Sequence, residues 1–328
     1  IKAYFTARKL NNSVGFELFH HITYANDWMV SFIGAFLPVP YIRGPGGGAH
    51  RTPRGFELEY SFHGRLWEKI RTLGQWIFRH DPIFMRGQAR ARAILVCNNE
   101  SMSEISRKWS DKTRLFPVSG VSSEELVRSS QPTTDHREFR VLSAGTLIRV
   151  KGFSLAIKAF KEFVDIHPAA KFSIVGSGPE EQQLRALVRR EHIHDKVLFL
   201  GWKPHHEVLS EMASHDVFLF PSLRDGGGTV VVEAMAVGKP VICLDAGGPG
   251  MHVTPETGLK VAANSPRQAV RDLSEALENL YLHQELRVSL GSAARERVER
   301  FYLWDRLGER LMAIYHHSLN SKVQAKTP

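Results

Sequence analysis

Asp225 and Glu233 stand with seven residues between them, and three of those seven are Gly226, Gly227 and Gly228. The glycines free the backbone just ahead of an apolar run. Their N–H groups can then face a phosphate or a sugar hydroxyl. Glu233 is a carboxylate set among Val230, Val231, Val232, Ala234 and Met235. A charge in such company needs a partner, and ribose hydroxyls would serve. The competing reading is an exposed turn followed by a helix with one polar position. A second loop, Gly145 to Gly152, puts Arg149 and Lys151 just before a helix start. Cations and free backbone N–H groups in one place suit a diphosphate. A third, Gly176-Ser177-Gly178-Pro179, allows a tight turn and close backbone approach. Glu181 stands where a dinucleotide fingerprint has its third glycine, and there is no Gly-Lys-Ser/Thr ending of a P-loop. A plain strand-to-helix turn explains that third loop equally well.

These loops need elements to hold them, and the chain from about 138 onward supplies a regular alternation. Strands are expected at 139–144, 171–175, 197–200, 216–220, 240–244 and 258–261. Helices are expected at 153–166, 179–191, 205–213, 229–237 and 266–282. Phe153, Ile157, Phe160 and Val164 fall at helical spacing in the first of these. Repeated strand–helix units of this length imply a parallel sheet covered by helices on both faces. In such sheets ligands bind at the carboxyl ends of the strands, where the three loops lie. Earlier in the chain, 16–22 and 92–97 read as strands, the second followed by a capped helix near Asn99 or Ser101. The stretch 66–78 reads as a helix with aromatic and basic residues interleaved. Residues 117–137 are rich in Ser, Pro, Thr and Asp without apolar periodicity, and the interdomain linker is placed there, at 123–137.

The chain has 328 residues with 43% hydrophobic content, enough for two packed domains. Cys97 and Cys243 lie far apart in apolar runs and read as buried free thiols, which suits a reducing, cytoplasmic setting. The longest apolar stretch, Met29 to Ile42, is broken by Pro38 and Pro40, and no uncharged run is long enough to span a bilayer. The net charge is +9, and +7 of it falls in residues 1–137. A basic first half suggests an anionic partner such as a membrane surface, a phosphorylated acceptor or a nucleic acid. The sixteen histidines include pairs at 20–21, 205–206 and 316–317, but no Cys/His/Asp set at zinc-site spacing.

The run from Asp225 to Ile242, DGGGTVVVEAMAVGKPVI, resembles the signature of the retaining group 1 glycosyltransferases of GT-B fold. Lys151-Gly152, the GSGP turn at 176–179, Phe199-Leu200-Gly201, Phe220-Pro221-Ser222 and the ending from Phe301 to Tyr315 agree in order. The likeness covers about 117–316. It is looser over 1–116, where LFHHIT, the Gly44 to Gly48 loop and LVCNNES are similar to the second half of the family's first domain. The resemblance implies an α/β fold of two Rossmann-like domains whose parallel sheets face across a cleft, with the N-terminal one incomplete. The division expected is 1–122 for the acceptor-side domain, 123–137 for the linker, 138–300 for the donor-binding domain and 301–328 for a C-terminal helix and tail.

By the same resemblance Lys151 binds the donor diphosphate, and Gly227, Gly228 and Thr229 offer backbone amides. Asp225 holds donor sugar hydroxyls, and Glu233 holds the ribose. Lys151, Asp225 and Glu233 are therefore the expected catalytic set. Trp202 and Lys203 edge the base, Gly178 lines the donor, and Gly46 and Gly47 form the facing loop of the first domain. The family has arginine where Thr146 stands, with Arg149 the nearby substitute; glutamate where Asp225 stands; and an aromatic residue where Gly227 stands. The implied activity is transfer of a sugar from a UDP- or GDP-sugar to a glycan, lipid-linked or small-molecule acceptor, with retention and without a metal. The implied setting is the cytoplasm, peripheral at the inner face of the membrane, with an anionic membrane surface as a further partner and no nucleic acid. A degenerate sugar-nucleotide binder and a basic nucleic-acid binder stay open as other readings.

Overall fold

The computed structural model of the chain describes residues 1–22, 26–48, 51–57, 62–105, 107–128 and 138–320. Two compact units are present, and neither is a single block of sequence. One comprises Ile1–His50, Tyr60–Val118 and Asp305–Pro328; the other comprises Arg51–Glu59 and Ser119–Trp304.

The first unit is built on four parallel strands in the order β1 (Phe19–His21), β2 (Tyr41–Gly46), β3 (Ala91–Val96) and β4 (Thr113–Leu115). Alternate residues of a strand face opposite sides. Tyr41, Ile94 and Val96 accordingly pack with Trp109 on one side, and Ile42, Ala93 and Leu95 pack with Phe116 and Leu307 on the other. Asp81 caps the helix Pro82–Arg90 by accepting from Ile83 N at 2.7 Å, and that helix leads directly into β3. Asn98 caps the helix Asn99–Glu104 by accepting from Ser101 N at 2.8 Å, at the cap the sequence marks.

The second unit has a six-stranded, all-parallel sheet in the order β10-β9-β8-β5-β6-β7. Its strands are β5 (Arg140–Ala144), β6 (Lys171–Val175), β7 (Val197–Gly201), β8 (Val217–Phe220), β9 (Val241–Leu244) and β10 (Gly258–Val261). The chain runs outward from β5 through β7, then returns to β8 on the other side of β5. This reversal is a topological switch point, and it opens a crevice at the carboxyl ends of β5 and β8. The expected apolar positions of the helix Phe153–Ile166 are buried: Phe153, Ile157, Phe160 and Val164 all enter the main core. Phe56, from the short segment Arg51–Glu59, is buried in that same core.

Two parallel α/β sheets are what the sequence predicts, and the six expected strands of the second unit all form. Several elements lie outside that prediction. The helices Lys2–Val14 and Gln284–Phe301 and the strand β2 are not among the expected elements. The helix Ser123–Arg128 occupies part of the stretch expected as linker, and 129–137 lie outside the described residues. The helix Trp304–Asn320, within the stretch expected as C-terminal helix and tail, sends Leu307 into the core of the first unit, and 321–328 lie outside the described residues. Cys97 and Cys243 are buried and free. Among the described residues no helix is long and apolar enough to cross a membrane.

Candidate functional site

The loops after β5, β6 and β8 are laced together by backbone hydrogen bonds. Leu147 N donates to Ser177 O at 3.0 Å, and Glu180 N donates to Leu147 O at 3.0 Å. These bonds join the loop carrying Thr146 to the turn carrying Gly178. Leu223 N donates to Val150 O at 2.8 Å, and Ser222 Oγ donates to the same carbonyl at 3.1 Å. The turn Arg149–Lys151 is thereby fixed to the loop after β8. Gly152, at φ +75°, closes that turn, and a Cβ on it would stand 1.9 Å from Pro221 O. The sharp turn and the close approach both require glycine.

Asp225 is the hub of the site. Its Oδ1 accepts from Gly227 N at 3.2 Å and Gly228 N at 2.8 Å, and its Oδ2 accepts from Lys151 Nζ. The Lys151 ammonium also lies 5.5 Å from the centre of the Phe220 ring at the end of β8. Burial pushes the Asp225 carboxyl up, but Lys151 and the two amides outweigh it and hold the group below the ordinary carboxylate range. The amides that the resemblance assigns to a ligand thus face a carboxylate within the protein itself. The other end of the Gly227 peptide is clamped as well. Its carbonyl accepts from His252 Nε2 at 2.6 Å and from Ser119 Oγ at 2.8 Å, and Ser119 Oγ in turn lies 2.8 Å from Thr229 Oγ1. His252 is buried and its Nδ1 accepts from Tyr302 OH at 3.0 Å. Burial pulls its pKa down to about 4, so the ring is neutral and the Gly227 carbonyl holds the proton on Nε2. Gly228, at φ +62°, turns the chain into the helix Thr229–Ala236, and a Cβ there would lie 2.9 Å from Pro249 N.

Glu233 lies on that helix with its side chain 16% exposed, and Oε1 meets His205 Nε2 at 3.1 Å. His205 Nδ1 is 3.5 Å from Glu125 Oε1, so the imidazole bridges two carboxylates. Burial pushes the Glu233 carboxyl above its ordinary range; His205 pulls it part of the way back, while Glu125 pushes it further up. The three side chains line a small cavity of about 70 Å³ together with Leu209 and Trp304. The partner that a lone carboxylate demands is therefore supplied inside the protein by His205.

The remaining sequence-predicted residues fall in several places. Trp202 follows β7 and is 72% exposed. Lys203 Nζ lies 3.2 Å from both Glu207 and Glu211, so its charge is engaged along the neighbouring helix. Thr146 and Arg149 are exposed on the loop after β5. Gly46 and Gly47 belong to the first unit, where the Gly46 carbonyl accepts from Cys97 N at 3.0 Å and the Gly47 carbonyl accepts from Asp27 N at 3.0 Å. Lys151, Asp225, Gly227, Gly228 and Thr229 form one cluster, with Glu233 one turn further along the same helix. Sequence reasoning missed Ser119, Glu125, His205 and His252. Of these only His205 left a trace, as half of a histidine pair weighed solely as a metal ligand.

The sequence pattern of the family described as Glycosyl transferases group 1 matches residues 127–297. The chain is 36% identical over 175 residues to the GDP-mannose-dependent monoacylated alpha-(1-6)-phosphatidylinositol monomannoside mannosyltransferase of Corynebacterium glutamicum, covering 51% of this chain and 44% of that protein. It is 32% identical over 254 residues to the putative colanic acid biosynthesis glycosyltransferase WcaL of Escherichia coli K12, covering 73% of this chain and 59% of that protein. The chain thus spans about half the length of these curated relatives. Among solved structures, it shares its fold with the sucrose-phosphate synthase of Thermosynechococcus elongatus. The TM-score is 0.67 over 96% of this chain and 77% of that one, at 21% identity.

Proposed function

The chain belongs to the group 1 glycosyltransferases, and from that premise we propose that its second unit binds a UDP- or GDP-sugar whose sugar passes, with retention of configuration, to a glycan or lipid-linked acceptor. The observation that carries this reading is the cluster of Lys151, Asp225 and the Gly227 and Gly228 amides at the switch point of a parallel sheet. A diphosphate entering there would take Lys151 and the amides from Asp225. The released carboxylate then turns to the sugar hydroxyls, Glu233 holds the ribose, and the backbone at Trp202 and Lys203 edges the base. Two relatives support the choice of ligands. The Corynebacterium protein is named for GDP-mannose and a phosphatidylinositol-based acceptor, and the Escherichia protein for colanic acid biosynthesis.

In the proposed reaction the acceptor hydroxyl attacks the anomeric carbon on the face from which the nucleotide departs. The bond from that carbon to the phosphate oxygen breaks through an oxocarbenium-like state, and a leaving phosphate oxygen takes the acceptor's proton. Products are the glycoside and the nucleoside diphosphate. Negative charge grows on the phosphate oxygens, so the ammonium of Lys151 and the fixed amides stabilise the transition state more than the ground state. Losing one such donor costs about 10²–10³ in rate. The scheme uses no side-chain nucleophile and no metal, and it is set at the cytoplasmic side of a membrane where a lipid-linked acceptor resides.

Calorimetric titration with UDP- and GDP-sugars, followed by assay of nucleoside diphosphate release with acceptor present, tests the proposal. Failure to bind either class of nucleotide sugar sinks it. One observation favours a second reading, binding without transfer: Thr146 stands exposed where the family has an arginine, so the leaving group loses that cation unless Arg149, exposed on the same loop, replaces it. Saturable binding with no release of nucleoside diphosphate would select it.

A further inference from the structure

We propose that His20 of the first unit, its tautomer fixed by Tyr315, is a positioning residue for the sugar transfer: it holds the Gly44 carbonyl and so sets where the loop 44–48 stands. The strand ladder creates the need for it. β1 pairs with β2 through Phe19–Tyr41, His20–Ile42 and His21–Arg43, and ends there. On its other side β2 pairs with β3 at Arg43–Ile94 and next at Gly46–Val96, so β2 carries one extra residue over that stretch. An extra residue leaves part of a strand without ladder partners. Gly44 and Pro45 are that part. Pro45 has no N–H to give, and Gly44 is buried, so its carbonyl needs a donor from elsewhere. Gly44 has φ +103°, and a Cβ on it would stand 2.1 Å from Leu95 O, so the chain turns here in a way that requires glycine.

His20 supplies the donor. Its Nε2 lies 2.6 Å from Gly44 O, and its Nδ1 lies 2.7 Å from Tyr315 OH. A carbonyl oxygen can only accept, so the proton sits on Nε2 and the Tyr315 hydroxyl donates to Nδ1. Burial pulls the His20 pKa below its ordinary value, against the pull of the Gly44 carbonyl. The ring is therefore neutral near pH 7, with a single N–H to place. Tyr315 belongs to the helix Trp304–Asn320 and packs against the core of Ile42, Ala93, Leu95 and Phe116. Its ring meets the imidazole edge-on, at 82° with centroids 5.5 Å apart. Burial raises the Tyr315 pKa, so the hydroxyl keeps the proton it donates.

The second unit holds a glycine loop of its own with the same three parts: the Tyr302 hydroxyl, His252 and the Gly227 carbonyl, with a ring angle of 86°. Each loop lies at the carboxyl end of a parallel strand, the end at which such sheets meet their ligands. The later carbonyls of the first unit's loop are held as well. Gly46 O accepts from Cys97 N, Gly47 O from Asp27 N and Gly48 O from Gln75 Nε2, each at 3.0 Å. Those bonds fix the far part of the loop, and His20 fixes its root. Without His20 the buried Gly44 carbonyl must turn to another partner, and Pro45 and the glycines after it turn with it. The role in transfer rests on the transferase reading; the hold on Gly44 does not.

Three variants of the full chain test the proposal: His20→Leu, His20→Gln and Tyr315→Phe. Glutamine returns an N–H toward Gly44 O, and leucine does not. The readouts are kcat, donor KM, Kd for UDP or GDP, the melting temperature and the backbone amide NMR signals of Gly44, Gly46, Gly47 and Gly48. His20→Leu should lose about 10²-fold in kcat, the cost of misplacing part of a site by ~1 Å. Donor KM and nucleotide Kd should stay, because the second unit holds the nucleotide on the proposed reading. His20→Gln should recover most of the loss. Tyr315→Phe should fall between, and the ring nitrogen signals of His20 should then show mixed tautomers. Wild-type kcat in His20→Leu, even with a lower melting temperature, overturns the proposal, because His20 would then serve the fold alone. Glutamine performing no better than leucine also overturns it. So do loop signals that stay in place in both His20→Leu and Tyr315→Phe, whatever the activity. A wild type that binds no nucleotide sugar would sink the transferase reading; loop signals displaced by leucine and restored by glutamine would still establish the hold on Gly44.

Discussion

Replacing Asp225 with asparagine should tighten binding of a nucleoside diphosphate while most transfer activity is lost. On the proposed reading the carboxylate of the free protein competes with the ligand, because its Oδ2 holds Lys151. The two side chains are 22% and 13% exposed, so the pair lies between a surface pair and a buried one. Two unit charges about 4 Å apart attract by about 4 kcal/mol at an effective dielectric of 20. Partial exposure and the solvation lost by both groups reduce the net value to about 1–2 kcal/mol. A diphosphate must break that pair and then sit beside the carboxylate it displaced. Asparagine retains an oxygen for the Gly227 and Gly228 amides, so the turn survives while the competing charge is gone. The expected result is about a tenfold lower Kd for UDP or GDP by calorimetry, together with a large fall in kcat. Lys151→Met should do the reverse, weakening nucleotide binding and lowering stability because Asp225 is left without its cation. The double variant should recover stability but not affinity. Asp225→Asn losing as much nucleotide affinity as Lys151→Met would refute the idea that the carboxylate competes with the ligand.

His252 predicts an acid-sensitive clamp: its pKa is about 4 folded against 6.5 unfolded, so the unfolded chain takes up the proton first. Its contribution is then full above about pH 6.5 and is lost as pH falls toward 4, by up to roughly 3 kcal/mol; thermal melts of wild type and His252→Gln should show the variant less stable at neutral pH but flatter across this window, and parallel curves would argue against it. Glu233→Ala should weaken nucleotide-sugar binding by about 2–4 kcal/mol by calorimetry while the unit stays folded. His205→Ala should leave the Glu233 carboxyl higher still, so that affinity falls away at a higher pH than in the wild type; superimposable pH profiles of Kd would count against the bridge. Gly152→Ala should cost at least about 1–3 kcal/mol from its left-handed backbone alone, and an unchanged melting temperature would mean that the Lys151 turn is not built as described.

The loops after β5, β6 and β8 are legible in the sequence because their signals are local. Three glycines ahead of an apolar helix, two cations ahead of a glycine and a carboxylate among valines each speak within a few residues. The groups that set their electrostatics are not local. His252 is 25 residues from the Gly227 carbonyl it holds, Ser119 is 108 residues away, and His205 is 28 residues from Glu233. Nothing in the types of those residues announces the pairing. In the first unit the obstacle differs. β2 ends in Gly44-Pro45-Gly46, which reads as a loop because proline interrupts a strand ladder, yet the pairing with β3 shifts register between Arg43 and Gly46 and so accommodates it. The helix Lys2–Val14 buries no residue and so carries no core-facing stripe to detect. The periodicity of Phe62–Arg79 is plain in the sequence, but periodicity marks a stripe without saying which way it faces.

The Gly227 peptide shows how the second unit separates holding the loop from using it. Its carbonyl is fastened by two neutral donors, the imidazole of His252 and the hydroxyl of Ser119. Its amide points the other way, into the field of Asp225 and Lys151. A charged clamp behind the loop would couple loop position to the charge of whatever binds in front. Neutral donors avoid that coupling, because they lose no partner and change no charge when a diphosphate displaces the carboxylate. On the proposed reading, the burial that keeps His252 uncharged near neutral pH would let the amides keep their places while a diphosphate replaced the carboxylate they face, the condition for a preorganised oxyanion site.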